Sequence, residues 1–136
     1  MRGKRGQVST EYIMITGILL FFLIVLVSFS YDRTNETLKI NKLAESLEAI
    51  DVAIDGVSAL GVYNKEVVLV DFPKGILNIT INNTQFNIQI YSFSEKSDFY
   101  IEPPLGIYLQ GNLTKGEGSH HIKLEMLNAT DINISE

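Results

Sequence analysis

The feature that most constrains this chain is the segment 12–31, twenty consecutive residues without a charged side chain. A helix of that length rises about 30 Å, at roughly 1.5 Å per residue, which matches the hydrocarbon thickness of a bilayer. Three basic residues, Arg2, Lys4 and Arg5, come before the segment, whereas DRTNE follows it. The positive-inside rule therefore predicts a membrane-spanning helix with a cytoplasmic N-terminus and with residues 32–136 outside.

Composition argues against several classes of function. The net charge of the 136-residue chain is −5, and apart from the three basic residues near the N-terminus there are eight basic residues against sixteen acidic ones. Because no basic cluster is available to bind phosphate, we expect no nucleic-acid partner. The chain has no cysteine, which excludes disulfides, thiol nucleophiles and cysteine-bound metals.

Catalytic and metal-binding patterns are also missing from the sequence. The glycines of NLTKGEGSHH lack the spacing of a phosphate-binding loop and the helix that should follow it. The only histidines, His120 and His121, are neighbours, and neighbouring side chains of a strand point to opposite faces, so we do not expect them to chelate one ion. The scattered carboxylates form no catalytic arrangement with a histidine or a serine. We therefore predict no enzyme activity, no cofactor and no metal site.

A short polar motif opens the apolar segment. In RGQVSTE, Gly6 is followed by Gln7, Ser9 and Glu11 at alternate positions. A secretory signal would have a shorter apolar core and then a small-residue cleavage site of the A-x-A kind, which VSFSYDRTNE does not offer. From hydropathy alone, a plain single-pass anchor is an equal alternative, in which Glu11 only marks the cytoplasmic boundary.

The basic residues, the glycine, the Q-x-S-x-E motif and the hydrophobic segment together resemble the archaeal type IV pilins that carry a class III signal peptide. In that family a membrane-embedded prepilin peptidase cuts before the glutamine, on the cytoplasmic side. The resemblance covers about the first thirty residues. It implies cleavage between Gly6 and Gln7, with Gln7, Ser9 and Glu11 as the processing motif. It does not extend to residues 64–136.

The resemblance also implies partners and a location. The precursor would lie in the membrane, and the mature protein would pack with other copies of itself in an extracellular helical filament used for adhesion or cell contact. The prepilin peptidase and the pilus assembly machinery would be its other partners. A minor pilin and an archaellin, which share this architecture, are alternatives.

An alternative of another class is a membrane-anchored binding module that never polymerises. Its contact surface would be the aromatic cluster in YSFSEKSDFY, which comprises Tyr91, Phe93, Phe99 and Tyr100. Aromatic residues in such a pattern are more often part of a core, so we expect these four to be buried.

The position of Glu11 suggests a role in assembly. Glu11 follows Gln7 by four residues, so on a helix the two lie on one face, about 6 Å apart along the axis. Cleavage would create a new α-amino group at Gln7. A glutamate among packed apolar helices costs several kcal/mol unless it is paired. We therefore expect Glu11 to pair with the amine of an adjacent subunit and to set the axial register of the filament.

After Asp32 the apolar residues become one-sided. They recur at spacings of three and four, typical of one buried helical face. The stripe contains Ile40, Leu43, Leu47, Ile50, Ile54, Val57 and Gly61. We predict a helix over about residues 8–62, interrupted or bent near SYDRTNE and closed by GVYNK, whose second half packs against the C-terminal part of the chain. A short coiled coil is the alternative.

The C-terminal half has the alternation of strands. ILNITIN and QFNIQIYSF form the best hairpin, across the turn NNTQ, and further strands are expected at EVVLV, DFYIE, GIYLQ and residues 120–126. EVVLV is expected to be buried. The fold class is therefore α+β, a long N-terminal helix packed on an antiparallel β-sheet head. The predicted segments are a leader (1–6), a hydrophobic helix for membrane and filament core (7–31), its amphipathic continuation (32–63) and a β-rich head (64–136).

The sequon N-x-[ST] occurs six times, always beyond the apolar segment. The candidate N-glycosylation sites are Asn35, Asn78, Asn82, Asn112, Asn128 and Asn133. We expect Asn78 on the polar face of a strand, Asn82 in a turn, and Asn128 and Asn133 in a polar tail. Archaeal pilins and archaellins are commonly N-glycosylated, so the resemblance favours modification of these side chains.

Overall fold

The computed structural model describes the backbone from residue 3 to residue 136 and the side chains from residue 9 onward. Helix α1 spans Gly3–Leu60, and the chain forms two compact units, Met1–Asn35 and Glu36–Glu136. Residues 30–36 are helical throughout, so of the expected interruption or bend at SYDRTNE the interruption is wrong. In the predicted leader (1–6), Met1 and Arg2 lie outside the described residues, as do the side chains of residues 3–6.

The part of the chain after α1 that the structure describes forms seven strands. They are β1 (Lys65–Phe72), β2 (Ile76–Asn82), β3 (Gln85–Ser92), β4 (Glu95–Ile101), β5 (Tyr108–Gly111), β6 (Gly118–Met126) and β7 (Asp131–Ser135). The strands make two sheets instead of the single predicted one, with the orders β1-β6-β7-β5 and β2-β3-β4. All neighbours are antiparallel except β5 and β7. The α+β class, with a long N-terminal helix and a mainly antiparallel β region, is confirmed.

The second half of α1 shares one core with both sheets. Its predicted apolar stripe is buried from Leu43 to Val57, together with Ala53. The strands contribute alternate residues, among them Phe86, Ile88 and Ile90 from β3 and Ile122, Leu124 and Met126 from β6. Packing within the chain, not a coiled coil, therefore covers this face of the helix.

Local chemistry ends the helix where the sequence predicts. Gly61 adopts a positive φ of 86°, and its N–H donates to the Val57 carbonyl at 3.2 Å. The Asn64 amide then donates to the carbonyls of Leu60 at 2.7 Å and Gly61 at 3.0 Å. These bonds satisfy carbonyl groups that a helix C-terminus leaves without partners.

The predicted hairpin is β2–β3, and a second hairpin, β3–β4, follows it directly. The turn of the second hairpin has positive φ angles at Phe93 (50°) and Ser94 (66°). Two residues with positive φ are what a tight type I′ turn requires. The Glu36 carboxylate of α1 accepts hydrogen bonds from the Ser92 hydroxyl at 2.8 Å and from the Phe93 N–H at 3.3 Å, which fixes the turn against the helix.

Two expectations about the strands are wrong. EVVLV lies in β1, an edge strand, where only one set of alternate residues faces the core, so Val67 and Leu69 are exposed while Val70 is buried. The segment expected to be a polar tail contains β7, which lies between β5 and β6 and buries Ile132 and Ile134. The reason is that two apolar residues in a short polar stretch give too little pattern to indicate a strand.

Gly111 makes the parallel pairing of β5 with β7 possible. Its φ is 137°, and a Cβ built there would lie 1.9 Å from the carbonyl oxygen of Ile134. No other residue type fits so close an approach of two backbones. The late strand β7 is thereby held from both sides.

Candidate assembly helix and glycosylation sites

The first candidate site is the apolar half of α1. All its large apolar side chains between Tyr12 and Tyr31 are exposed, from 49% at Val25 to 72% at Tyr12. Among the described residues, α1 is the one helix that is long and apolar enough to cross a membrane. The fold of this chain therefore leaves the whole apolar surface of the segment to be covered by something else.

The polar groups of this segment are partly satisfied within the helix. The Thr16 hydroxyl donates to the Tyr12 carbonyl at 2.8 Å, and the Thr34 hydroxyl donates to the Ser30 carbonyl at 2.8 Å. Such bonds let threonine enter an apolar environment without an external partner. At the far end, the Arg33 guanidinium lies 5.1 Å from the centre of the Phe29 ring.

The predicted processing motif lies at the start of α1. Ser9 and Glu11 are exposed. The backbone is helical at positions 7 and 11, so these positions lie one turn apart on the same face, as the pairing hypothesis for Glu11 requires. Gly6 and the side chain of Gln7 lie outside the described residues. Glu11 is the only carboxylate between residue 9 and residue 31.

Four of the six candidate glycosylation sites have exposed side chains, and three of these, Asn78, Asn82 and Asn112, lie in or next to strands. Asn78 lies on the outward face of β2, and its Nδ2 donates to the hydroxyl of Thr80, the third residue of its own sequon, at 3.1 Å. Asn82 ends the same strand, and Asn112 follows β5. Both are exposed. An enzyme that modifies Nδ2 can approach all three asparagines from solvent.

Two others are less accessible, and the exposed Asn128 is engaged in a turn. Asn35 is half-buried within α1, and Asn133 is half-buried in β7, whose backbone is paired on both sides. The Asn128 side chain closes a turn, because its Oδ1 accepts from the N–H groups of Thr130 and Asp131, each at 2.8 Å. Its Nδ2 donates to the Asp131 carboxylate. The structure thus divides the six sequons, which the sequence alone treats alike, into two groups.

Three of the four residues of the aromatic cluster lie at the surface, where the binding-module alternative placed its contact surface. Tyr91, Phe93 and Tyr100 are 50%, 54% and 61% exposed, so the expectation that these three belong to the core is wrong. Phe99 is half-buried and packs against the core, as expected. Strand alternation is the signal that could have placed Tyr91. Residues 86, 88 and 90 of β3 face the core, and successive side chains of a strand point to opposite faces. Tyr91 therefore points away from the core.

Two hydrogen-bonded carboxylates lie elsewhere in the unit Glu36–Glu136. Hydrogen bonds from Lys39 and then from the Ser92 hydroxyl hold the pKa of Glu36 below its usual range. The Thr114 hydroxyl and then His120 lower the pKa of Glu136. His120 is half-buried, with Nδ1 at 2.5 Å from Glu136 Oε1 and Nε2 at 3.1 Å from the carbonyl oxygen of Gly116.

Metal binding finds no support in the described side chains, which contain no group of three histidines or carboxylates able to hold an ion. No family model matches the chain, and no curated protein and no solved structure is significantly similar to it. The resemblance to archaeal type IV pilins therefore depends on the first thirty or so residues, and the roles of Gly6, Gln7, Ser9 and Glu11 stay predictions.

Proposed function

We propose that this protein is a pilin, the structural subunit of an archaeal type IV pilus-like surface filament used for adhesion or cell contact. It is made as a membrane precursor, and a prepilin peptidase cuts it between Gly6 and Gln7. The observation that carries the proposal is an exposed, uncharged helical surface directly after the motif Gly6, Gln7, Ser9 and Glu11.

The exposed apolar surface needs a partner on energetic grounds. Sixteen large apolar side chains between Tyr12 and Tyr31 are each about half exposed or more. Full burial of such a side chain contributes roughly 1.5–3 kcal/mol of hydrophobic free energy. A segment left in water therefore lacks on the order of 20 kcal/mol of this stabilisation. A bilayer supplies this burial to the precursor, and neighbouring helices supply it in a filament.

The unit Glu36–Glu136 buries its own core of side chains from α1 and both sheets. Residues 12–31 are thus available to contact other copies. Identical subunits can contact each other through two different surfaces. If the rotation between neighbouring subunits does not close a ring, such contacts generate a helical filament.

Glycosylation is part of the proposal and is restricted by the structure. Asn78, Asn82 and Asn112 are exposed and do not close a turn, whereas the exposed Asn128 does. Sugars on these residues would coat the β-rich unit.

Mass spectrometry of the N-terminal peptide tests the proposal. Filaments sheared from native cells are compared with the membrane fraction, and we expect a peptide that begins at Gln7 in the sheared material. Gly6→Val should leave the leader attached and abolish filaments, whereas Gly3→Val, a matched change within the leader, should be processed normally. A leader that stays attached in every fraction, with the protein confined to membranes, would refute the pilin assignment.

A second substitution separates processing from assembly. Glu11→Gln preserves size and removes the charge, so we expect a protein that is cut at Gly6 but is absent from filaments. Asp32→Asn, which removes a carboxylate at the other end of the apolar segment, serves as control and should assemble. A Glu11→Gln protein that assembles as well as the wild type would contradict the pairing role of Glu11.

One observation favours a second function, the membrane-anchored binding module or minor pilin that does not form the bulk of a filament. The exposed rings of Tyr91 and Tyr100 offer a contact surface on the β-rich unit. Unprocessed protein in the membrane, together with ligand binding by that surface, would support this alternative over the pilin.

A further inference from the structure

The outward face of the sheet β2-β3-β4 carries a row of polar side chains. Asn78 of β2 is paired with Gln89 of β3, and Gln89 is paired with Asp98 of β4, so the three lie in line across the strands. The Gln89 Nε2 donates to the Asp98 carboxylate at 3.0 Å. We call this set of three residues the polar row.

Two tyrosines flank the polar row on opposite sides. Tyr91 follows Gln89 by two residues along β3, and Tyr100 follows Asp98 by two residues along the antiparallel β4. Along the strands, the two tyrosines are therefore four residues apart. At roughly 3.3 Å per residue, and with about 4.8 Å between neighbouring strands, their Cα atoms lie about 14 Å apart. Both side chains are at least half exposed.

The charge of this face differs from that of the whole chain. Asp98 is the only carboxylate in the polar row, and Lys96, which is paired with Tyr91, carries the compensating charge. The face is thus close to neutral, whereas the chain has a net charge of −5. A polyanion or a cationic peptide gains little from a neutral surface, so charge complementarity favours an uncharged ligand.

We propose that this face binds a neutral, linear oligosaccharide, with sugar rings against Tyr91 and Tyr100 and hydroxyl groups on Gln89 and Asp98. Tyrosine presents a flat apolar ring with a polar tip, and amide and carboxylate groups are both able to bond hydroxyls. A spacing of about 14 Å accommodates about three sugar rings in an extended chain. The inference rests on the proposed function only for placing this face outside the cell, where surface glycans occur.

A solvated sheet face is ordinarily polar, so polar residues alone would carry no such inference. The distinguishing observation is the combination of two exposed rings with a hydrogen-bonded amide and carboxylate between them. Tyrosine is also among the residues that most often dominate binding energy at contact surfaces.

The test is binding by the full chain, solubilised in a detergent without a sugar headgroup and produced in a bacterial host that leaves Asn78 unmodified. Cellotriose, maltotriose and mannotriose, each with a sulfated counterpart, are titrated by calorimetry. We expect saturable binding of at least one neutral trisaccharide and weaker binding of its sulfated form. Tyr91→Ala and Tyr100→Ala should each weaken binding about tenfold or more. The control Tyr108→Ala, on β5 of the other sheet, should leave it unchanged.

Asp98→Asn provides a second variant if either alanine substitution fails to fold, and it should also weaken binding because Gln89 and the ligand lose a charged acceptor. Absence of saturable binding to any of the three sugars, equal binding of sulfated forms, or indifference to loss of both rings would overturn the proposal. Because the assay uses unassembled protein, its outcome is independent of whether filaments form.

Discussion

Replacing Ile50 by alanine should strongly destabilise the β-rich unit, although Ile50 belongs to the helix. Ile50 is 0% exposed and lies in the core that α1 shares with both sheets. Ile→Ala in such a site costs about 2–5 kcal/mol, because transfer free energy is lost and a cavity remains. Val52, two residues along the same helix, is 63% exposed. Val52→Ala should therefore change the free energy of unfolding by at most about 0.5 kcal/mol.

Urea denaturation of a chain that begins at Asp32 measures this difference. That chain retains the buried residues from Leu43 onward and should unfold cooperatively, whereas a chain that begins at Gln85 lacks α1, β1 and β2 and should not. With a denaturant slope of about 1–3 kcal/mol/M, Ile50→Ala should lower the midpoint by about 1–3 M, and Val52→Ala should hardly move it. Equal effects of the two substitutions would refute the shared core of helix and sheets.

Three further predictions concern single sites. Gly111→Ala should disrupt the pairing of β5 with β7, because the new Cβ meets the Ile134 carbonyl, and hydrogen exchange should show loss of protection in both strands. The lowered pKa of Glu36 means that the stability from its bonds is complete at neutral pH and is lost as the pH falls below about 4, so Glu36→Gln should flatten the acid side of a pH-stability profile. Glycopeptide mass spectrometry of the native protein should find sugar on Asn78, Asn82 and Asn112 and bare Asn128 and Asn133; modified Asn128 would show that its turn opens before folding is complete.

Sequence patterns predict the features that depend on neighbouring residues. The stripe from Leu43 to Val57 and the hairpin across Asn83 and Thr84 are local periodicities, and both are present in the structure. The membrane-spanning length of the apolar segment is equally predictable, because a helix of twenty uncharged residues matches the thickness of a bilayer.

Features that depend on distant pairing were not predictable in the same way. β1 pairs with β6, some fifty residues later, and β7 is inserted between β5 and β6. Nothing local to Asp131–Ser135 indicates that its two isoleucines will be buried by strands from elsewhere. The accessibility of the sequons follows from this topology, which is why Asn133 is half-buried although its local sequence is polar.

Under the proposed function, the charge of Glu11 would link cleavage to assembly. In a precursor, Glu11 lies at the entrance of the apolar segment, where water or lipid headgroups can solvate it at little cost. In the proposed filament the same carboxylate is surrounded by helices, and burying it without a partner costs several kcal/mol. Position 7 is one helical turn away, and only cleavage before Gln7 puts an α-amino group there. In the proposed filament, an uncut chain would therefore bring its leader, instead of a compact cation, into the layer of its neighbour's Glu11. Processing would then be a condition for packing and not merely a step that precedes it.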